Sequence, residues 1–354
     1  MTEALLEIDL WDVGQGDCSV IKLPSGRLLI IDVGRRGSPL VDWLNERAYS
    51  APQIEAIVLT HNDADHAGAL PSIVREHKHR IGAIWMLLDR KTTDPRFQKI
   101  FRAAVEGENE GLYRIRRVED GQLLWRDDAT NTQLRIGHPG FSQNVQAGDP
   151  NDSSGVILLE AGNACLFAWP GDLQLRKAAD VLKGSRPWMI SGPHHGGPSD
   201  YPSKTVRKAL RKKSRAAATL RMKEIRSAAA ALSPVRASVS VGTTNPYHHP
   251  RPGYLRLLAS LETRVTCSQL TLCCERKRVL EGRHVMQGSA LLGLRGPRTG
   301  VSCRGAMRLY VNGGALVPDE FDRMHLERVA TLLRPQCLRG RGWRSGEPLP
   351  NFVG

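Results

Sequence analysis

Aromatic residues make up only 5% of this 354-residue chain. Few side chains are therefore available to stack on unpaired bases, which speaks against a dedicated single-strand binder. No apolar run approaches the roughly 18 residues that a membrane-spanning helix needs, so an integral membrane protein of that kind is excluded. The seven cysteines are Cys18, Cys165, Cys267, Cys273, Cys274, Cys303 and Cys337; they are too sparse for a disulfide scaffold, and their odd number leaves at least one unpaired. The first nine residues are acidic with a short apolar stretch, where a secretory leader would be basic with a longer one. Cytoplasm is the expected location. Acidic side chains are also in deficit, with 36 Asp+Glu against 50 Lys+Arg, and the resulting net charge of +14 favours polyanionic partners. What is present, 41% hydrophobic and 24% charged residues, describes a globular chain able to bury a sizeable core.

Strand signals separated by glycine turns open the chain, at residues 5–13, 19–23 and 28–33, with Pro24-Ser25-Gly26 between the last two. A helix is predicted near 38–48. A buried strand follows from Ile54 to Thr60 and runs directly into a cluster of His and Asp. Further strands are expected at 81–88, 155–159, 165–169, 188–191 and 237–241, alternating with helices, which points to mixed sheets covered by helices. Residues 263–354 hold five of the seven cysteines and no further His/Asp cluster, and read as an extension appended to a domain over 1–262.

The densest chemical signal is Thr60-His61-Asn62-Asp63-Ala64-Asp65-His66-Ala67-Gly68, four potential metal ligands within six residues. Imidazole and carboxylate together suit Zn, Mn or Fe, and a tight turn after a buried strand can aim them at one point. The bland alternative is a polar loop in which Asp65 caps a following helix. Against it, similar clusters recur after other strand candidates: Gly171-Asp172, Pro193-His194-His195-Gly196 and Asn245-Pro246-Tyr247-His248-His249-Pro250. One strand-end His is unremarkable, whereas four such clusters in series are a site.

The runs Asp12-Val13-Gly14-Gln15-Gly16-Asp17 and Leu29-Ile30-Ile31-Asp32-Val33-Gly34, together with the His61/Asp63/Asp65/His66 loop, resemble the metallo-β-lactamase superfamily. More narrowly, they resemble the hydrolase domain of ComEC-type competence proteins, a subgroup with an HxDxDH loop. Asn151-Asp152-Ser153-Ser154, Gly171-Asp172, His194-His195-Gly196 and Asn245 to Pro250 follow in family order, so the likeness covers about residues 4–270. The resemblance implies an α+β fold, a four-layer αββα sandwich, holding two divalent ions: Zn or Mn, with Mg a third choice. It implies that His61 and Asp63 hold one metal, Asp65 and His66 the second, and that Asp172 bridges them. His249 and one of His194 or His195 would complete the set. Asp12, Gln15, Asp17, Asp32, Asn151, Asp152 and Asn245 would stand behind these ligands and orient them. Asp65, His194, His195 and His248 are the expected catalytic side chains, acting with a metal-activated hydroxide on an ester or phosphodiester.

Residues 203–231 form a basic segment expected to be a helical insertion. Over residues 204–226, ten basic side chains face Glu224 alone, a local charge of +9 that sits directly after the His194/His195 motif. Lys204, Arg207, Lys208, Arg211, Lys212, Lys213 and Arg215 are the expected contacts to a phosphate backbone, the alternative being a merely solvated helix. Cys267, Cys274, Cys303 and Cys337 could staple the extension through a structural zinc, although no CxxC knuckle occurs and buried thiols explain them equally. The expected activity is hydrolysis of nucleic acid, DNA ahead of RNA, with no membrane partner and with room for a protein that supplies substrate or regulation. The competing expectations are a small-molecule hydrolase acting on a thioester, lactone, lactam or cyclic nucleotide, and a degenerate nucleic-acid-binding regulatory subunit.

Overall fold

The computed structural model of the chain describes residues 6–47, 53–87, 94–140, 150–182, 184–197, 215–275, 288–332 and 334–339. Its strands are β1 (Leu6–Leu10), β2 (Cys18–Lys22), β3 (Leu28–Val33), β4 (Ile54–Val58), β5 (Ala83–Met86), β6 (Arg114–Arg117), β7 (Leu123–Asp127), β8 (Thr132–His138), β9 (Val156–Ala161), β10 (Ala164–Trp169), β11 (Met189–Ser191), β12 (Arg236–Val239), β13 (Arg264–Cys267), β14 (Met307–Asn312) and β15 (Ala315–Pro318). They form an eight-stranded sheet in the order β15-β14-β1-β2-β3-β4-β5-β6 and a seven-stranded sheet in the order β13-β12-β11-β10-β9-β8-β7.

The layering follows from the two-residue period of the strands. On β3, Leu29 and Ile31 point between the sheets, where they meet Leu134, Ile157 and Phe167. Ile30 points the other way, onto Leu40 and Leu44 of the helix Pro39–Glu46 and Ile73 of the helix Leu70–His77. On β9, Ile157 and Leu159 face inward, while Val156 and Leu158 face Leu175 and Ala178 of Leu175–Val181, Ala229 and Leu232 of Arg215–Leu232, and Leu255 and Leu258 of Pro252–Ser260. Helix, sheet, sheet and helix stack in that order, the expected αββα sandwich. No helix among the described residues is long and apolar enough to cross a membrane.

Strands β3, β4 and β5 run parallel in one sheet, as do β10, β11, β12 and β13 in the other. Their C-terminal ends gather at one edge of the sandwich, where loops can carry ligands without disturbing the ladders.

Beyond residue 262 the structure differs from the sequence expectation. The expected extension is woven into both sheets: β13 is an edge strand of the second, and β14 pairs antiparallel with β1 in the first, Leu6 opposite Val311 and Leu10 opposite Met307. No sequence boundary at 262/263 divides these sheets. The helix Arg215–Leu232 confirms a helical end to the basic segment, and its last turns are docked by Ala228, Ala229 and Leu232.

Candidate metal centre

Asp32, at the end of β3, adopts φ +55°, a left-handed conformation that Asp tolerates better than most residues. Its Oδ1 accepts the Thr60 backbone N–H (2.8 Å) and its Oδ2 accepts the Thr60 hydroxyl (2.7 Å). The same Oδ2 lies 2.8 Å from Nδ1 of His66 and accepts its N–H, which leaves the other ring nitrogen, Nε2, facing the remaining histidines. There His66 Nε2 stands 3.2 Å from Asp172 Oδ1 and 3.1 Å from His195 Nε2. His61 Nε2 is 3.4 Å and His194 Nε2 3.7 Å from Asp172 Oδ2. His195 Nε2 lies 3.6 Å from both Asp172 Oδ1 and Asp65 Oδ2, while its Nδ1 is 3.9 Å from Asp17 Oδ1. One buried carboxylate, Asp172, is thus ringed by four imidazoles.

Glycines permit this crowding. A Cβ at Gly16 would stand 2.2 Å from the Asp65 carbonyl oxygen, so only glycine lets the first loop close on the His61–His66 turn, where the Asp17 N–H reaches the same carbonyl at 3.2 Å. A Cβ at Gly171 would fall 2.7 Å from the Thr60 hydroxyl. Gly171→Ala is therefore expected to push Thr60 off Asp32, loosen His66 and lower metal affinity about 10- to 100-fold, as loss of such orienting partners does, with metal titration the check. His194 and His195 both adopt left-handed φ (47° and 50°), an unfavourable conformation for side chains of this kind that the turn Pro193–Gly196 imposes while aiming both rings inward.

Within 4.8 Å of one another lie the donor atoms of two sets, His61, His66 and Asp172, and Asp17, His66 and His195. Buried polar atoms are normally hydrogen-bonded, yet His61 Nε2, Asp172 Oδ1 and Nδ1 of His194, His195 and His249 make no hydrogen bond of acceptable geometry among the described residues. Unsatisfied imidazole and carboxylate atoms converging on shared points are what a divalent cation requires, so the donor set fits one or two such ions.

The electrostatics agree. Burial pushes the His195 imidazole down, but Asp17, Asp172 and Asp65 outweigh it and lift the pKa to about 9. Burial likewise opposes the charge of His66, which Asp32 and Asp172 nonetheless hold protonated well above the usual range. Burial raises Asp172 and the surrounding imidazoles of His61, His66 and His195 more than reverse that, keeping it ionised. Burial, with the neighbouring imidazoles, depresses His194, and takes His249 to about 3, so both are neutral at pH 7 with lone pairs available. Cations must therefore displace protons from His66 and His195. Metal uptake is expected to release protons, and its affinity to rise with pH up to about 9, the His195 value; calorimetry in buffers of different ionisation enthalpy measures this, and pH-independent uptake would contradict it.

Several expected residues fall elsewhere. Asp63 joins neither set: it precedes the turn Ala64–Ala67, and its carbonyl accepts the His66 and Ala67 N–H groups at 3.0 and 2.8 Å. Asp65, expected as a metal ligand, joins neither set; its Oδ2 lies 3.6 Å from His195 Nε2. Asp12 anchors the first loop, accepting from Gly14 N, Gln269 Nε2 and Ser302 Oγ, and burial raises its pKa to about 6. Gln15 accepts from Gly242 N at 3.4 Å. Asn245 clamps its loop, bonding the Gly242 and His249 carbonyls and the His249 N–H, so His249 is presented with its ring 5.4 Å from that of His194. His248 is exposed beside it. Asn151 lies on the turn Pro150–Ser153, and the side chain of Asp152 is outside the described residues. Lys204, Arg207, Lys208, Arg211, Lys212 and Lys213 also lie outside them, and of Arg215 only the backbone, at the start of its helix, is described.

The four cysteines named for a structural zinc are gathered in one place. Cys267, Cys274, Cys303 and Cys337 pack with Leu270, Val329, Leu332 and Leu338 in an apolar cluster, and none belongs to a converging donor set among the described residues. Burial raises the thiols of Cys267, Cys303 and Cys337, and the hydrogen bond with Cys273, followed by burial, raises that of Cys274. Two residues of the centre were underrated from sequence. Asp17, expected only to orient, supplies an oxygen to a converging set; Thr60, quoted only as part of a motif, joins Asp32 to both His61 and His66.

A two-sheet sandwich with such a cluster at its strand ends defines the class, and residues 11–164 match the family model described as the Metallo-beta-lactamase superfamily. The fold is the metallo-β-lactamase fold. The chain further resembles ComE operon protein 3 of Bacillus subtilis, with 27% identity over 286 residues covering 73% of this chain and 31% of that protein, so it spans about a third of the relative's length. Two solved structures also align: a metallo hydrolase from the hyperthermophilic archaeon Ignicoccus hospitalis, with TM-score 0.41, 14% identity and coverage of 73% of this chain and 95% of that one, and the metallo-beta-lactamase fold protein YhfI from Bacillus subtilis, with TM-score 0.41, 8% identity and coverage of 75% and 96%.

Proposed function

We propose that this protein is a metal-dependent phosphodiesterase that cleaves DNA. The observation that carries the reading is the pair of adjoining donor sets, one of His61, His66 and Asp172 and the other of Asp17, His66 and His195, that share His66. Two divalent ions carry four positive charges and the carboxylates of Asp17, Asp65 and Asp172 offset three, leaving about +1 to attract an anionic phosphodiester oxygen. Bound there, such ions supply Lewis acidity and acidify water near neutral pH. The chain's own residues do the rest. Asp32 and Thr60 hold His66 in one tautomer. Asp172 keeps four imidazoles within 3.2–3.7 Å of its oxygens. His194 and His249, held neutral by burial, offer lone pairs as ligands or proton acceptors. His248, exposed on the adjoining loop, is placed to exchange a proton between a leaving oxygen and solvent.

DNA is favoured over a small ester by the basic residues at 204–226 that follow the His194/His195 motif and by the ComEC-type resemblance. The test is a substrate panel of single- and double-stranded DNA, RNA, a thioester and a lactone, with Mn, Mg or Zn. DNA hydrolysis whose binding weakens steeply with salt is expected. Turnover of the thioester or lactone with weak, salt-insensitive DNA binding would replace this reading by the small-molecule one.

A further inference from the structure

Four cysteines from four separate segments meet at the edge of the second sheet, and none is in a disulfide. Cys267 ends β13, Cys274 sits in the turn that follows, Cys303 precedes β14, and Cys337 lies on the helix Gln336–Arg339. Backbone hydrogen bonds hold these segments together. The Cys303 N–H reaches the Ser268 carbonyl at 2.9 Å and the Arg304 N–H the Cys267 carbonyl at 3.0 Å, while the Cys274 carbonyl accepts the Arg334 N–H at 3.0 Å and the Cys273 carbonyl accepts Nε2–H of Gln336 at 3.2 Å. Burial, and at Cys274 first the hydrogen bond with Cys273, raises the thiols of Cys267, Cys274 and Cys303; Cys337 adds to the rise at all three, which places it near each of them. The fully buried aliphatic side chains among these sulfurs are only Leu270, Val329, Leu332 and Leu338. A core that thin is where small folds rely on a metal or a cross-link.

The surroundings suit a thiolate-bound cation. His325, 2% exposed, sets its Nε2 3.4 Å from Cys303 Sγ. Burial, with Arg304 and Arg264, takes its pKa to about 3, so a neutral imidazole faces the sulfur and has an N–H to give to a thiolate. Arg304 and Arg264 stand beside Cys303 and Cys337 in turn, where burial raises both thiols and the guanidiniums act against it, toward the ionised sulfur.

We propose that Cys267, Cys274, Cys303 and Cys337 hold one structural zinc ion, which clamps the helices Asp322–Ala330 and Gln336–Arg339 to the edge of the second sheet, with His325 hydrogen-bonded to the Cys303 sulfur. Each thiol gives up its proton to solvent as it binds, and soft thiolates select zinc over harder cations. A closed tetrahedron leaves no position for water, so this ion takes no part in hydrolysis and the inference stands independently of the phosphodiesterase reading. Among the described residues no three of these sulfurs lie within 4.8 Å of one another. The tetrahedron closes by rotation about Cα–Cβ, each staggered step of which moves a sulfur by about 3 Å. Cys273 stays outside it: its Sγ donates to the Pro250 carbonyl at 3.3 Å and lies 2.8 Å from the Thr271 hydroxyl.

The test reads metal rather than activity, in protein purified under reductant. The native protein and Asp172→Ala, the variant expected to empty the other centre, should each carry about one zinc per chain that a mercurial thiol reagent releases. Cobalt put in its place is expected to show thiolate-to-cobalt charge-transfer absorbance in the near ultraviolet, kept in Cys273→Ser and lost in the double variant Cys303→Ser, Cys337→Ser. Native protein that yields no zinc to the mercurial, or shows no thiolate-bound cobalt, overturns the proposal, as does loss of the absorbance in Cys273→Ser. Should the double variant fail to fold, the readings on the native protein and Cys273→Ser decide alone.

Discussion

Asp172→Ala is expected to lower kcat/KM for the proposed DNA hydrolysis by about 10³-fold or more and to remove the metal that the centre would hold. The carboxylate stands within 3.2–3.7 Å of His61, His66, His194 and His195, so its loss leaves four imidazoles without a shared partner. A divalent ion contributes several kcal/mol to charge stabilisation in such reactions, and about 4 kcal/mol corresponds to a roughly 10³-fold loss. Asp172→Asn separates charge from shape, because it preserves the volume and one oxygen while leaving the positive imidazoles of His66 and His195 without their shared counter-charge. Both variants are expected to lose metal as measured by elemental analysis. Full metal content with full activity in Asp172→Ala would show that the carboxylate is not a ligand.

The second large effect concerns stability. Asp322 pairs with Arg236 of β12 and Arg264 of β13, the latter at 3.0 Å, and its Oδ1 lies 3.8 Å from Nε of Arg304. Arg304, 1% exposed, also pairs with Asp319, which in turn accepts the Arg308 N–H of β14 at 2.8 Å. Arg308 then grips Asp9 of β1 with two hydrogen bonds of 2.6 and 2.8 Å. This buried chain of charges ties the second sheet to the strand that completes the first. Removing one partner of a buried ion pair costs about 3–5 kcal/mol, because the remaining charge stays desolvated. Asp322→Ala is expected to fall in that range by urea unfolding, while Glu327→Ala, which removes the exposed Arg323–Glu327 pair at 3.2 Å, leaves the midpoint unchanged. Equal midpoints for all three proteins would show that the network does not hold the C-terminal segment.

The strand-end clusters were legible because each sits a few residues after an apolar run, and parallel strands deliver their C-terminal loops to one edge. His61, His66, Asp172, His194, His195 and His249 follow from that rule, and the structure brings them together. Asp63, expected as a ligand, joins neither converging set while Asp17, expected only to orient, joins one, for spacing within a motif does not say which way a side chain turns. At Asp63 the backbone carbonyl is spent on starting a helical turn, whereas Asp17 follows Gly16, whose missing Cβ lets the loop press against Asp65. The region beyond residue 262 was misjudged because its partners are remote. Arg308 and Asp9 are 299 residues apart, and no local pattern announces such pairing. The cysteines were read by type; the fold gathers Cys267, Cys274, Cys303 and Cys337 into one cluster with leucine and valine side chains and sets His325 Nε2 3.4 Å from Cys303 Sγ, an arrangement that no local spacing announces.

The most direct test of a DNA-cleaving centre is incubation of end-labelled single- and double-stranded DNA with the native protein and an Asp65→Ala, His66→Ala double variant, in Mn, Mg or Zn and then with chelator. Metal-dependent cleavage by the native protein is expected, lost in the variant, while both bind DNA with the same salt dependence. Undiminished cleavage by the variant, or DNA binding by the native protein without cleavage in any metal, would contradict it.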